Sequence, residues 1–141
     1  MNLGYNMFEI KDDSKYQWTN HVKEKMMYYR LSPSLVKRVV RFPNRVEEGV
    51  APKTVAVMQS RKSISRAKGK EGKKVEEIWV MYQSVGQRPT DKSEIQNLNF
   101  QIDSNKKRII SAWRYPGESP IGKKIPIPDD ILAELEAGQI V

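Results

Sequence analysis

Cysteine is absent from the 141 residues of the chain, and histidine occurs once, as His21. The lack of cysteine excludes disulfides, thiol nucleophiles and cysteine metal sites together. A single histidine also argues against a transition-metal site, because carboxylates alone suit harder ions. No glycine-rich phosphate loop, Ser-His-Asp set or paired-carboxylate signature is present either. We therefore expect no metal and no cofactor.

Long apolar runs are missing as well. No stretch approaches the roughly 20 apolar residues that a membrane span needs. The first residues, MNLGYNMFEIKDD, have neither the basic start nor the apolar centre of a signal peptide. The apolar fraction of 38% and the charged fraction of 30% are ordinary for a globular protein. These features predict a soluble cytoplasmic protein of one main domain, with no membrane partner.

The net charge is +8, and most of it comes from one short segment. Between positions 61 and 74, seven basic residues stand against one acidic residue, a balance of +6. The seven are Arg61, Lys62, Arg66, Lys68, Lys70, Lys73 and Lys74. Cations near phosphates release condensed counterions, so this segment is a candidate RNA-binding loop. The alternative is a solvated hairpin tip that serves only solubility.

Two helices are predicted between Trp18 and Gly49. Thr19 or Asn20 is expected to cap the first helix, because a short side-chain oxygen satisfies free N–H groups in the first turn. Ser32 and Pro33 form an N-cap and first position for the second helix. The second helix has a valine-rich apolar face and a solvent-exposed basic face of Lys37, Arg38 and Arg41.

The rest of the chain favours strands. We predict strands over 53–60, 75–85, 98–102 and 107–115, the second buried on both faces as a central strand. Strict alternation in the last strand would place Ile109, Ser111, Trp113 and Tyr115 on one face. Proline-rich chain then leads to a short acidic helix that begins at Asp129 or Asp130. The fold class is therefore α+β, with two N-terminal helices on a twisted antiparallel sheet of about four strands and a short C-terminal helix.

The helical stretch resembles an uncharacterised prokaryotic family that opens with a His-Ala-x-x-Arg-Met helix. His21 and Met26 match that helix, Leu31-Ser32 match the break, and Pro43 to Glu47 match a Pro-x-x-Val-Glu exit. The family is akin to the RelE and BrnT ribonuclease toxins of toxin–antitoxin systems. The resemblance implies a RelE-like domain over residues 18–117, after an arm of residues 1–17. Residues 118–141 would then be a proline-rich linker and an acidic helix.

Metal-independent RNA cleavage needs a proton acceptor, cations around the phosphate and an acid. The candidates for these roles are His21, Lys25, Arg114, Tyr115 and Tyr82. The resemblance implies that Arg114 and Tyr115, near the end of the last strand, are placed as functional residues. The chain differs from the family pattern at Lys25 and Tyr29, where arginine is usual.

Two functions remain open, besides a third possibility, a phage-related or toxin-related protein whose C-terminal helix docks on a partner. The first is a toxin-type endoribonuclease that acts on RNA without metal, for which the resemblance also implies an antitoxin-like protein partner. The alternative is a non-catalytic module that binds RNA or protein. In that case His21 would be a structural hydrogen-bonding residue and Arg114 would pair with a nearby glutamate such as Glu77 or Glu47. The three tryptophans are predicted to be core residues in either case.

Overall fold

The computed structural model describes residues 10–65, 72–85 and 106–138. These ranges contain five strands and three helices. In chain order they are β1 (Tyr16–Trp18), α1 (Asn20–Tyr29), α2 (Pro33–Arg41), β2 (Arg45–Glu48), β3 (Val55–Ser65), β4 (Gly72–Ser84), β5 (Lys107–Pro116) and α3 (Asp129–Glu136).

The two N-terminal helices begin where the sequence predicts. The hydroxyl of Thr19 accepts a hydrogen bond from the N–H of Val22 at 3.0 Å, which caps α1. The hydroxyl of Ser32 caps α2 in the same way, and Pro33 stands in its first turn. Between them Arg30 adopts a left-handed conformation, with φ at 56°, which turns the chain sharply.

Within the described ranges, the sheet has five strands in the order β1-β5-β4-β3-β2. Adjacent strands of the sheet are antiparallel, with one exception. The strand β1 pairs in parallel with β5 through Tyr16↔Lys107 and Trp18↔Ile109. The predicted sheet of about four antiparallel strands is therefore corrected to a five-stranded mixed sheet. The predicted strands do not include Tyr16–Trp18, which is too short to show an alternation pattern, or Arg45–Glu48, which has a single apolar residue. The predicted strand over 98–102 lies outside the described residues.

The predicted alternation of β5 is interrupted by a β-bulge. Tyr82 pairs with Ile109 while Met81 pairs with Ser111, so Ile110 has no partner of its own on β4. As a result Ile109 and Ala112 pack in one core, and Ile110 packs in the other. The prediction that Ile109 shares a face with Ser111 and Trp113 is therefore wrong, because an inserted residue exchanges the two faces.

Each face of the sheet carries its own layer. On one face α1 and α2 bury Val22, Met26 and three valines of α2 against the strands. On the other face the C-terminal segment places Ile125 and Ile131 over Trp79 and Trp113. As predicted, β4 lies at the centre and is buried from both sides. Residues 118–138 thus form a third layer packed onto the sheet.

Trp79 is expected to be a major contributor to stability. Its side chain is fully buried, stacks on Trp113 with ring centroids 6.1 Å apart, and donates from Nε1 to Glu77. Trp79→Ala should lower the free energy of unfolding by about 3–5 kcal/mol, the cost of a large core cavity. Denaturant melts provide the measurement. Tyr28→Ala is the control, since Tyr28 is 75% exposed and its truncation should cost no more than about 0.5 kcal/mol.

Candidate functional site

Helix α1 lies along the part of β5 that β1 does not cover. The pairing of β1 with β5 ends at Ile109, and there the hydroxyl of Thr19 donates to the carbonyl of Ile110 at 3.0 Å. The ten residues of α1 span about 15 Å, close to the roughly 13 Å of β5 between Ile110 and Arg114. The helix therefore covers the rest of that strand edge, with His21 between β5 and α3 and Lys25 against α3.

His21 is 4% exposed and bonded through both ring nitrogens. Its Nδ1 lies 2.5 Å from a carboxylate oxygen of Glu134 in α3, and its Nε2 lies 2.9 Å from the hydroxyl of Ser111 in β5. A carboxylate can only accept, so Nδ1 carries the proton. In the neutral ring Nε2 then accepts from the Ser111 hydroxyl. One imidazole thus joins α1, β5 and α3.

The order Ser111–His21–Glu134 has the donor–acceptor sequence of a hydrolase triad. Its serine, however, is fully buried in the middle of β5. Neither of the two surface cavities described below is lined by any of the three residues. A nucleophile must reach its substrate, so in this conformation the arrangement is a structural connection.

Burial lowers the pKa of His21 below its ordinary value of 6.5. Glu134 and Glu24 act in the opposite direction, while the nearby ammonium of Lys25 lowers the pKa further. The ring is therefore neutral at neutral pH, which agrees with its acceptance of the Ser111 hydrogen bond.

Lys25 is held by the same helix α3. Its ammonium lies 2.7 Å from Asp130 and 3.1 Å from Glu134, and the residue is 8% exposed. Burial alone would lower the pKa of Lys25, but the hydrogen bonds to the two carboxylates outweigh it and raise the pKa above 10.5. Lys25 is therefore charged at neutral pH and cannot accept a proton there.

The side chain of Arg114 contacts the C-terminal end of α1. Its Nε donates to the carbonyl of Tyr29 at 2.7 Å and its Nη2 to that of Arg30 at 3.0 Å, where a helix leaves carbonyls unpaired. Its Nη1 donates to both carboxylate oxygens of Glu76, at 2.7 and 2.9 Å. The glutamate partner is thus Glu76, rather than Glu77 or Glu47, and Arg114 joins α1, β5 and β4.

The predicted catalytic residues do not surround one open space. His21 and Lys25 lie together beneath α3, whereas Arg114 is at the C-terminal end of α1. Tyr115 follows Arg114 in the strand, so it projects from the opposite face and packs against the second core. Tyr82 packs against the first core, where burial raises the pKa of its hydroxyl.

The predicted RNA-binding segment lies at the β3–β4 hairpin. Arg61, Lys62 and Lys74 are exposed on its two strands. The side chains of Arg66, Lys68, Lys70 and Lys73 lie outside the described part of the structure.

A second basic surface borders the open side of α2. A cavity of about 490 Å³ is lined by Ser34, Lys37, Arg38, Arg41, Phe42 and Gln59. We call it the α2 groove. Its lining contains three basic residues and no acidic one. Phe42, at the C-terminal end of the helix, is 67% exposed. The sequence predicts the solvent-exposed basic face of α2 but does not by itself assign that face a role. The feature that could have revealed the groove is Phe42 directly after Arg41, an aromatic residue next to cations.

The cations of the α2 groove are loosely held. Within the described ranges, Arg38 and Arg41 take part in none of the ion pairs, and Lys37 has Asp13 at 3.9 Å and the ring centre of Tyr16 at 5.2 Å. Arg38 and Arg41 stand in the last turn of α2, where positive charge also suits the helix dipole. They are thus compatible with the helix and available to an anion.

A cavity of about 410 Å³ on the other face of the sheet contains Arg45, Glu47, Glu77 and Ser119. These side chains satisfy one another: Ser119 donates to Glu77 through its N–H and its hydroxyl, and Arg45 donates to Glu47 and Ser119. Across the described residues, no group of His, Cys, Asp or Glu side chains has the arrangement of a metal site. The network holds the C-terminal segment to the sheet.

Acid should weaken the fold through His21. Because burial places its folded pKa below the ordinary 6.5, its contribution to stability is complete above 6.5 and is lost as pH falls through the folded pKa. The carboxylates of Asp130 and Asp13 have pKa values below 3.8, so they become protonated only at lower pH. Urea melts from about pH 8 to about pH 5 should therefore show falling stability in the parent.

His21→Asn is the matched control, since its amide can donate to Glu134 without titrating. Its stability should depend less on pH across the same range. A parent and variant with the same pH dependence would contradict the assignment to His21.

Comparisons with known proteins gave no match. A scan of the sequence against protein-family models found no family, and searches among curated proteins and solved structures found no similar one. None of the helices that the structure describes is long and apolar enough to cross a membrane. The function must therefore be argued from the contacts and charges of the chain itself.

Proposed function

We propose that the chain is a non-catalytic RNA-binding protein that holds RNA phosphates in the α2 groove and along the β3–β4 hairpin. The observation that carries this proposal is the α2 groove, an open cavity with three basic side chains, one exposed aromatic ring and no carboxylate in its lining. Single-stranded nucleic acids bind to such combinations of cations and aromatic faces.

The two basic surfaces lie on the same side of the sheet. Gln59 lines the α2 groove, and Arg61 follows two residues later, so both project from the same face of β3 about 7 Å apart. Lys74 pairs with Ser63 and continues this row on β4. A backbone of phosphates can therefore follow cations from α2 onto the hairpin.

One acidic residue stands within this row. Glu76 pairs across the strands with Arg61, but Arg114 donates to both of its carboxylate oxygens. Its charge is thereby largely compensated, so the path stays favourable to an anion.

Binding without cleavage is favoured by the state of the candidate catalytic residues. His21 is buried between Ser111 and Glu134, and Lys25 is kept protonated by two carboxylates of α3. Arg114 is occupied by α1 and Glu76. A general base and a phosphate ligand must both reach the RNA, and none of these groups does so here.

Metal-independent cleavage is the second candidate function, and one observation favours it. His21 and Lys25 lie one turn apart on α1, and their carboxylate partners, Asp130 and Glu134, both belong to α3. Displacement of that single short helix would free both side chains. A nuclease of this kind would need α3 to be removed before it could act.

The binding half of the proposal is tested by neutralising the α2 groove. Lys37→Gln, Arg38→Gln and Arg41→Gln together should weaken RNA binding at low salt by about tenfold or more. They should also flatten the salt dependence by about 0.7 in the log–log slope for each phosphate that the groove no longer neutralises. Fluorescence anisotropy with labelled RNA over a salt series measures both effects.

The control carries the same reduction of charge elsewhere. Lys53→Gln, Lys123→Gln and Lys124→Gln change three exposed lysines outside the α2 groove. If this variant loses as much affinity as the first, net charge rather than the groove is responsible. Thermal melts of both variants exclude a loss of folding.

The catalytic half is tested with total RNA in EDTA. We expect the full chain to leave the RNA intact, because His21 and Lys25 are paired with α3. Asp130→Asn with Glu134→Gln loosens those pairs and serves as the activated form. Cleavage by this form that disappears on adding His21→Ala would establish the nuclease and refute the non-catalytic proposal.

A further inference from the structure

Phe42 differs from the other highly exposed apolar side chains of the described residues in its surroundings. Tyr28 and Ile121 are also exposed, at 75% and 89%, but neither lines the α2 groove. Phe42 is 67% exposed and shares the groove with three cations. An aromatic face that stays in water beside cations is suited to stacking with a flat, charged ligand.

We propose that Phe42 is a stacking platform for one unpaired nucleobase, which makes the α2 groove selective for single-stranded over double-stranded RNA. This inference rests on the proposed RNA binding and adds a specificity-determining residue to it.

The backbone of Phe42 is held on both sides. Its N–H donates to the carbonyl of Arg38 at 2.9 Å, and its carbonyl accepts from the side-chain amide of Gln59 at 3.2 Å. Two residues later, Asn44 donates through its N–H to Met58 and accepts from the N–H of Ser60 through its side chain. The ring therefore stands on an anchored backbone with only two side-chain torsions to order, which lowers the entropic cost of stacking.

Two arginines line the α2 groove together with Phe42. Arg38 precedes Phe42 by four residues, so both side chains lie on one side of the end of α2. Arg41 is adjacent in sequence and lines the same cavity. One nucleotide could thus place its base on Phe42 and its flanking phosphates on the two guanidinium groups.

Base pairing would make the face of the nucleobase unavailable to Phe42. In a duplex each base is stacked between its neighbours, and its faces are not available to a protein side chain. An unpaired base offers a free face, and one aromatic contact is worth roughly 5- to 150-fold in affinity. Phosphate contacts alone do not distinguish the two forms in this way.

A membrane surface is a different partner for an exposed aromatic residue among cations. The structure favours the nucleobase. Val36, Val39 and Val40 of α2 are buried against the sheet and Leu35 packs partly against the same core, so the apolar face of α2 is already used within the protein. Phe42 also belongs to the lining of the α2 groove, so its ring lies beside the three cations.

The test compares the parent with Phe42→Ala, Phe42→Trp and Tyr28→Ala. Each protein is titrated at one salt concentration with a labelled RNA strand of about 12 nucleotides, within the usual site size, and with its duplex. Vesicles containing phosphatidylserine form a third arm. Tyr28→Ala removes another highly exposed aromatic ring, one that lies outside the groove.

Phe42→Ala should weaken single-strand binding by about tenfold and leave duplex binding within about twofold, whereas Tyr28→Ala should change neither. Phe42→Trp should restore the affinity. Its new indole is exposed, unlike the buried Trp18, Trp79 and Trp113, so its fluorescence should be quenched when the single strand binds.

Three results would overturn the inference. If Phe42→Ala changes neither RNA affinity while the triple substitution in the α2 groove weakens both, RNA binding stands and the stacking platform fails. If the parent binds neither RNA form, the proposed function fails together with the inference. If only vesicle binding depends on Phe42, the ring is a membrane contact.

Discussion

The contact of α3 with α1 joins the C-terminal segment to the rest of the molecule. His21 and Lys25 are taken out of water at this contact, and each meets a carboxylate of α3 within 3.1 Å. Removing one member of such a set leaves a buried polar group without its partner, which is costly. Ile131, on the same helix, is fully buried over the sheet, so apolar packing supports the polar contacts.

The central position of β4 explains why this third layer is needed. Both faces of β4 are apolar, and α1 with α2 can cover only one of them. Trp79 and Met81 on the opposite face require cover, and residues 118–138 supply it. Glu77 accepts from Trp79 and Ser119 on this face, so the polar group nearest the tryptophan is satisfied by the covering segment itself.

The same arrangement divides the polar residues into two functional groups. Most of those beneath α3 and at the end of α1 have partners inside the protein, and they connect helices and strands. Those of the α2 groove and the hairpin face solvent, and Arg38 and Arg41 take part in no ion pair of the described residues. A ligand that binds without displacing α3 would meet the second group. This is the physical reason why binding is favoured over cleavage as the proposed function.

Local patterns were sufficient to predict the helices, their caps and the central strand. Thr19 and Ser32 cap their helices through N–H groups three residues further on, and Pro33 begins the second helix beside its cap. The apolar run of β4 requires burial on both faces in any packing. The basic charge on which the proposed RNA binding rests is likewise a property of the sequence alone. The relation to RelE-type toxins stays a prediction from the resemblance.

Contacts between distant residues decided the remainder. The parallel pairing of β1 with β5 and the bulge at Ile110 depend on strands that are far apart in the chain, and neither leaves a local pattern. The sequence singles out His21, Lys25 and Arg114 because of the chemistry of their side chains. The chemistry of a side chain does not show which residues it contacts in the folded protein. Only the folded chain brings Ser111, Asp130 and Glu134 to α1 and leaves Phe42 open beside Arg38, because burial and hydrogen-bond distance are set by three-dimensional packing.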